Sequence, residues 1–420
     1  MKAASPRLDS TSSRAARNRL QGPTWDDSAP PLNHWPEPHI SVTDDGRVTL
    51  RAFDQFIVKL SSRCNLSCDY CYVYELRDSG WRARPRIMPA PVRERLVSRI
   101  AEHVRRHRPE RVRVLLHGGE PLLAGAQVIA EFTTAVRRAV RGAGAEADFV
   151  VQTNGTLLTE ALLDLLLGLD VRVGVSLDGY AEAHDRHRRG PGTGPGRGSH
   201  AKVSAALGLL GRARYRPLFG GLLCTIDPAN DPVRTFDALA AHRPPAADFL
   251  LPHGTWDHPP PGAGGGGTPY GSWLRAVHDR WRETGRPMRI RLFESVDSLS
   301  RYNGGSSSEV LGTLPAAAVA IETDGTLTWT ESLNAVAEGA GAAGGTIFSH
   351  SFDGVLDLAC APEYGVGALC RVCQECPLVH VCGGGLRAHR FGRGRGFDNP
   401  SVYCEDISSL IRHIELWTDH

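Results

Sequence analysis

The sequence predicts an α/β fold: a partial (β/α)6 TIM-like barrel followed by a small cysteine-rich domain. Three observations carry that expectation. Apolar, strand-like runs alternate with amphipathic stretches from residue 53 to about 249, as parallel β/α units with both sheet faces covered require. Polar and glycine-rich segments at residues 64–71, 118–121, 153–155 and 176–179 follow successive strands, which gives the barrel one functional rim. Beyond about residue 315 the alternation stops, and six of the ten cysteines fall in the last fifth of the chain.

Taken in order, residues 1–50 form a Pro- and Ser-rich extension, with one hairpin where Asp44-Asp45-Gly46 separates HISV from RVTL. Its first 22 residues, rich in Arg, Ser and Ala, read as a disordered tail. The barrel, residues 51–290, begins with the strand FDQFIVKL and the helix VRERLVSRIAEHVRRH. RVRVLLHG and a helix over 123–140 follow, then DFVVQTNG, LTEALLDLLLGL, VRVGVSLDG, a helix over 199–212, GGLLCTID, another helix and DFLLPHG. Six strands are counted. The glycine-rich break at 259–267 reads as a surface loop before an amphipathic helix over 270–284. Residues 291–317 are a bridging region, and 318–420 make up the last domain. It opens on the hairpin AVAIETDGTLTWTESL, with Asp324-Gly325 at the turn.

Lys and Arg number 48 against 46 Asp and Glu, a net charge of +2, so no global field gathers nucleic acid or anionic lipid. No apolar run is long enough to span a bilayer, and the start lacks the apolar core of a signal peptide. The expectation is a cytoplasmic protein with no membrane and no nucleic-acid partner. The cysteines are clustered rather than scattered, which in a reducing compartment points to metal or Fe–S ligation instead of disulfides.

Cys64-x3-Cys68-x2-Cys71 follows the strand FIVKL, so three thiolates share one loop. Three thiolates hold three corners of a 4Fe-4S cubane and leave the fourth iron open for chemistry. This spacing, with Tyr70 before the third cysteine, resembles the radical S-adenosylmethionine (SAM) superfamily signature. Gly118-Gly119-Glu120-Pro121, one β/α unit later, resembles the segment that binds the methionine amino group of SAM there. Gln152, Asn154 and Ser176, at later strand ends, match positions that contact the ribose or carboxylate. The resemblance makes Cys64, Cys68 and Cys71 the cluster ligands and catalytic centre, with the other residues binding SAM.

Cys370-x2-Cys373-x2-Cys376-x5-Cys382, then Cys404, resembles the SPASM domain of peptide-modifying radical SAM enzymes, where seven cysteines hold two auxiliary clusters. Here Leu386 and Thr330 stand where two of them would fall. One auxiliary 4Fe-4S cluster is expected, on Cys373, Cys376, Cys382 and Cys404. Cys370 lies near enough to substitute for one of them, and Cys360 is spare. CxxC spacing also suits tetrahedral zinc. Cys224, inside an apolar strand, reads as core, and His117, His253, His380 and His389 read as structural.

Stretches such as SRCNLSCDYCYVYE, LHGGEPLLAG, HDRHRRG and CGGGLRAHRFGRGRGFDNPSVYCEDI are similar to FxsB-type radical SAM/SPASM maturases from residue 53 onward. That resemblance implies a precursor peptide as substrate and a flavodoxin- or ferredoxin-type electron donor. It implies a 5′-deoxyadenosyl radical that removes a Cβ hydrogen, and a crosslink from that carbon to an aromatic ring. The auxiliary cluster takes the surplus electron. Glu331 is the candidate proton acceptor, although a glutamate on such a hairpin is more often an exposed surface residue. Another radical SAM/SPASM modifier, a thioether former or a sulfatase-maturase-like oxidase, is the first alternative, and a zinc-stabilised binding module is the second.

Overall fold

A computed structural model describes residues 40–42, 48–50, 52–192, 197–263, 266–302, 310–313, 317–358 and 365–417. The N-terminal tail and Cys360 lie outside the described residues. The early hairpin forms as expected: β1 (Ile40–Val42) pairs antiparallel with β2 (Val48–Leu50).

The body is one sheet. β3 (Gln55–Ser61), β4 (Arg111–Gly118), β5 (Glu146–Thr153), β6 (Val171–Ser176), β7 (Phe219–Thr225) and β8 (Ala246–Leu250) lie side by side in chain order, each parallel to the next. The two-residue β9 (Arg289–Ile290) adds a seventh parallel strand beyond the six counted in the sequence. Period-2 patterning divides each strand between two surroundings. In β4, Val112, Val114 and Leu116 are buried in the same core as Leu96, Ile100 and Val104 of helix Ala90–His107 and Ile129, Phe132 and Val136 of helix Ala126–Gly142. Arg113, Leu115 and His117 take the opposite face. Lys59 is in register with His117, and Leu116 with Val151, so Lys59, His117 and Gln152 share that inner face near the strands' C-terminal ends.

The expected hairpin closes on Asp324 and Gly325, with β10 (Ala318–Ile321) antiparallel to β11 (Thr326–Thr328). It does not stand apart from the barrel strands. β10 pairs in parallel with β3, Ala318 with Gln55 through Ile321 with Val58, and β12 (Ala342–Thr346) completes a ten-stranded sheet in the order β12-β11-β10-β3-β4-β5-β6-β7-β8-β9. All four residues of β10 are buried. The bridging region contains a helix, Arg291–Tyr302, that the sequence reading left unassigned. Asp248 on β8 anchors it, accepting from Arg291 Nε at 2.8 Å and Leu292 N at 3.2 Å. Among the described residues no helix is long and apolar enough to cross a membrane.

Because β10 covers the edge of β3, the strand that leads into Cys64, a chain ending at residue 317 exposes an apolar parallel strand edge. Such a chain is expected to aggregate on expression. A monodisperse fragment that still binds iron, seen by size-exclusion chromatography and iron assay, would contradict this account of the sheet.

Candidate active site

The three rim cysteines lie on the loop after β3, closed by short backbone bonds from Cys71 N to Cys68 O (3.0 Å) and from Glu75 N to Cys71 O (2.9 Å). The loop rests directly on the turn after β4: Gly119 N donates to Ser61 O and Glu120 N to Arg63 O, both at 3.0 Å. Contact is so close that a Cβ on Gly118 would lie 2.1 Å from Ser61 O, and one on Gly119 would lie 2.4 Å from Arg63 O and overlap the Tyr74 hydroxyl. Gly118 also has φ +133°, which side chains rarely adopt.

Glu120 fastens this turn to the next strand. Its fully buried carboxylate accepts from Leu122 N (3.0 Å), Thr153 Oγ1 (2.8 Å) and Asn154 N (2.8 Å). Burial pushes its carboxyl up to about 7 against those three donors. Every one of these contacts is internal, so the turn offers a ligand its backbone while the Glu120 side chain holds β5. Asn154 in turn reaches the cysteine loop, with Nδ2 2.8 Å from Asn65 Oδ1 and 3.7 Å from Cys64 Sγ. Gln152 Nε2 donates to Ser176 Oγ at 3.2 Å. Five of the expected SAM contacts, Gly118, Gly119, Asn154, Gln152 and Ser176, thus sit along one rim, with Pro121 buried just behind.

Tyr70 is held differently. Its hydroxyl donates to Asp178, which also accepts from Arg188 Nε (2.7 Å) and Thr225 N (3.0 Å), and the Arg188 guanidinium lies 5.5 Å from the Tyr70 ring centroid. Burial alone would raise Asp178, but the Arg188 charge outweighs it and holds the carboxyl below its ordinary range. The sequence reading singled out neither Asp178 nor Arg188. The available signal was a charged residue two positions past Ser176, at the end of a strand.

The thiols fit an iron–sulfur cluster. Burial pushes Cys64 up to about 11 and Cys68 up to about 12, and it raises Cys71 as well. Cys64 and Cys68 also feel the negative charge of Cys71. Three thiolates are stable there only with a cationic centre among them.

Inward of this rim lies a buried charge cluster. Lys59 Nζ is 2.7 Å from Glu322 Oε1 and 2.8 Å from Glu331 Oε1, and Arg84 Nη1 is 3.4 Å from Glu322 Oε2. Glu331 is therefore not the exposed hairpin residue that its type and position favoured. Tyr72 Oη donates to its Oε2 at 2.7 Å, and His117 Nδ1 is 4.0 Å away. Burial works to raise Glu331, but Lys59 and its other neighbours bring it down to about 2. Glu322 is pushed up by burial, then by the charge of Glu331. Tyr72 packs on His253 (4.6 Å between centroids), His253 neighbours His389 (5.9 Å), and burial lowers all three of His117, His253 and His389. His117 Nδ1, His253 Nδ1 and both His389 nitrogens have no hydrogen-bond partner. At about 1–3 kcal/mol each when left dry, these atoms mark a polar space beside Glu331. His380, by contrast, is exposed, and Cys224 is buried core.

The second sulfur set gathers five thiols. Burial pushes Cys373 up to about 12 and Cys382 up to about 11 and raises Cys404, and charge on neighbouring thiols, Cys370 and Cys376 among them, adds to each. Arg390 is buried beside them with Nε and Nη1 unpartnered, its charge interacting with Cys373, Cys370 and Cys382. An unpaired buried guanidinium is costly, and an anionic cluster on four of these thiolates supplies the missing counter-charge. The positions of the missing cysteines hold Thr330, whose hydroxyl is 2.7 Å from Ser332 Oγ, and buried Leu386.

Residues 58–195 match the Radical SAM superfamily. The chain carries a radical SAM domain. It is an enzyme, and the cofactors of this domain are a 4Fe-4S cluster and S-adenosylmethionine. The chain is similar to the serine-type anaerobic sulfatase-maturating enzyme of Bacteroides thetaiotaomicron, 30% identical over 35% of this chain and 34% of the relative. It is also similar to the cysteine-type enzyme of Clostridium novyi, 27% identical over 39% and 41%. It therefore spans well under half the length of these curated relatives. The fold extends further than the sequence likeness. The structure of anSMEcpe with bound AdoMet and Cp18Cys peptide superposes at TM-score 0.72 and 21% identity, over 87% of this chain and 99% of that one. Streptococcus suis SuiB bound to its precursor peptide SuiA superposes at 0.53 and 13%, over 81% and 73%.

The radical SAM domain depends on the contact at Gly119. The Gly119→Ala variant is expected to fold but to lose rim iron, falling from about eight to about four irons per chain after anaerobic reconstitution. Unchanged iron would show that the loop tolerates the added methyl.

Proposed function

We propose that this enzyme modifies a ribosomally made precursor peptide, joining a side-chain Cβ to an aromatic ring in a cyclophane. The observation that carries the proposal is Glu331, held between Lys59 Nζ and Tyr72 Oη at 2.8 and 2.7 Å on the inner face below the cysteine loop. Resemblance to FxsB-type maturases supplies the choice of reaction. The likeness to peptide-bound anSMEcpe and SuiB supports a peptide as substrate. Residues 318–420 are read as the SPASM domain.

Cys64, Cys68 and Cys71 would hold a 4Fe-4S cluster that with SAM would supply the chemistry of hydrogen-atom removal, and Cys373, Cys376, Cys382 and Cys404 would hold a second cluster able to take up one electron. Gly118, Gly119, Gln152, Asn154 and Ser176 orient SAM at the rim. Glu331 takes the ring proton as the new C–C bond restores aromaticity. One hydrogen atom, one electron and one proton leave, so each crosslink removes two hydrogens. A carboxylate held near 2 is a weak base, which suffices because a proton on an oxidised ring is strongly acidic. Lys59 keeps Glu331 ionised, and the buried walls exclude water that would quench the radical.

Coexpression with a cognate precursor, followed by tandem mass spectrometry, tests the proposal. The expected product lacks two hydrogens and resists fragmentation between the joined residues. Cys64→Ala should abolish SAM cleavage, whereas Glu331→Gln should keep it and slow crosslinking by about 10²-fold or more. Since Glu331 is already deprotonated far below neutrality, the wild-type rate should show no acid limb from this group across the neutral range. A two-hydrogen loss confined to one residue, with a carbonyl that reacts with hydrazines, would instead support an oxidase resembling the sulfatase-maturating relatives. An unmodified cognate precursor beside active SAM cleavage would overturn the cyclophane reading.

A further inference from the structure

Away from both sulfur sets, three ligand atoms converge within 4.8 Å at two places among the described residues. At His278, Asp279 and His413, two of the three ligands are chain neighbours on one helix, and His278 Nδ1 stands 3.8 Å from Asp279 Oδ1. The other place joins two distant parts of the chain. His103 and His107, one turn apart at the end of helix Ala90–His107, both face Asp353 in helix Phe352–Leu358. His107 Nε2 is 2.5 Å and His103 Nδ1 3.3 Å from the same oxygen, Asp353 Oδ1.

The surroundings of His103 make this arrangement informative. Its ring is 1% exposed, boxed by Phe53, Phe56 and Phe352 at centroid distances of 5.9, 5.8 and 5.8 Å. Nε2 lies 3.1 Å from the Phe53 carbonyl oxygen, so Nε2 carries the proton. Nδ1 makes no hydrogen bond. The buried His103 Nδ1 thus faces Asp353 Oδ1 across 3.3 Å, with His107 Nε2 on the same oxygen. A backbone carbonyl holding the far N–H is also the arrangement that orients metal-ligating histidines.

We propose that His103, His107 and Asp353 bind one zinc-like divalent ion, which fastens helix Phe352–Leu358 to the outer barrel helix. Two imidazoles and one carboxylate are ligands of borderline softness suited to zinc. Tetrahedral zinc with such ligands sets neighbouring ligand atoms about 3.3 Å apart. The His103 to Asp353 distance already matches, and the His107 to Asp353 contact opens by less than ~1 Å. Arg106 Nε, 3.5 Å from Asp353 Oδ2, approaches the other carboxylate oxygen from a side chain that is 70% exposed. The partly exposed His107 side leaves the fourth position to water. The ion's role is structural, and no electron passes through it.

The test uses anaerobically reconstituted holoenzyme, exposed to zinc chloride and desalted. Metal content by mass spectrometry is compared for wild type, His107→Gln and Asp353→Asn, with X-ray absorption at the zinc edge. The inference expects about one retained zinc per chain, N/O ligands without sulfur, and a melting temperature raised by zinc. In both variants zinc and the melting shift disappear while iron is unchanged. Absent zinc, sulfur-ligated zinc, or equal zinc in the variants would overturn it. Should Asp353→Asn lose iron through misfolding, His107→Gln, at the more exposed ligand, decides alone.

Discussion

The backbone of residues 61–63 lies against Gly118 and Gly119 with no room for a side chain between them, and the rest of the rim is arranged around that contact. It fixes where the cysteine loop leaves β3. Through Glu120 it also fixes the end of β5, because one carboxylate gathers Leu122, Thr153 and Asn154. Asn154 then returns to the loop at Asn65 and Cys64. A cluster held by three thiols needs those sulfurs placed before the metal arrives, and this closed circuit of short bonds does the placing.

Two buried charge groups complete the surroundings. Asp178, Arg188 and Tyr70 flank the cysteine loop, and Lys59, Arg84, Glu322 and Glu331 cross from β3 to the β10–β11 hairpin. In the second group two cations face two carboxylates, so it carries little net charge. Buried groups of this kind rarely add stability over apolar packing, and their presence on the inner face is better explained by chemistry at the site. The join of β10 to β3 puts Glu331 within reach of Lys59, so the last hundred residues complete the site as well as housing the second sulfur set.

Much of this was legible in the sequence. Alternating apolar runs marked the six principal parallel strands, Asp324-Gly325 marked the hairpin, and the spacing of Cys64, Cys68 and Cys71 marked the rim. What was not legible depends on contacts between residues far apart in the chain. Nothing local says that Ala318–Ile321 pairs with β3, so Glu331 looked exposed. Arg188 finds Asp178 only once helix Ala181–His187 folds back. Helix Arg291–Tyr302 follows directly on a two-residue strand, with no break between them to announce it. The facing of His103 and Asp353 is likewise invisible until helix Phe352–Leu358 docks.

The central claim is that Cys64, Cys68 and Cys71 hold a cluster with one iron open to SAM. Electron paramagnetic resonance of the reduced, reconstituted enzyme tests it most directly, with Cys373, Cys376 and Cys382 replaced by alanine so that the rim cluster alone remains. The account predicts a single reduced 4Fe-4S signal whose g-values shift on addition of SAM and which disappears when Cys64 is also replaced. A signal indifferent to SAM, or one that survives loss of Cys64, would contradict it.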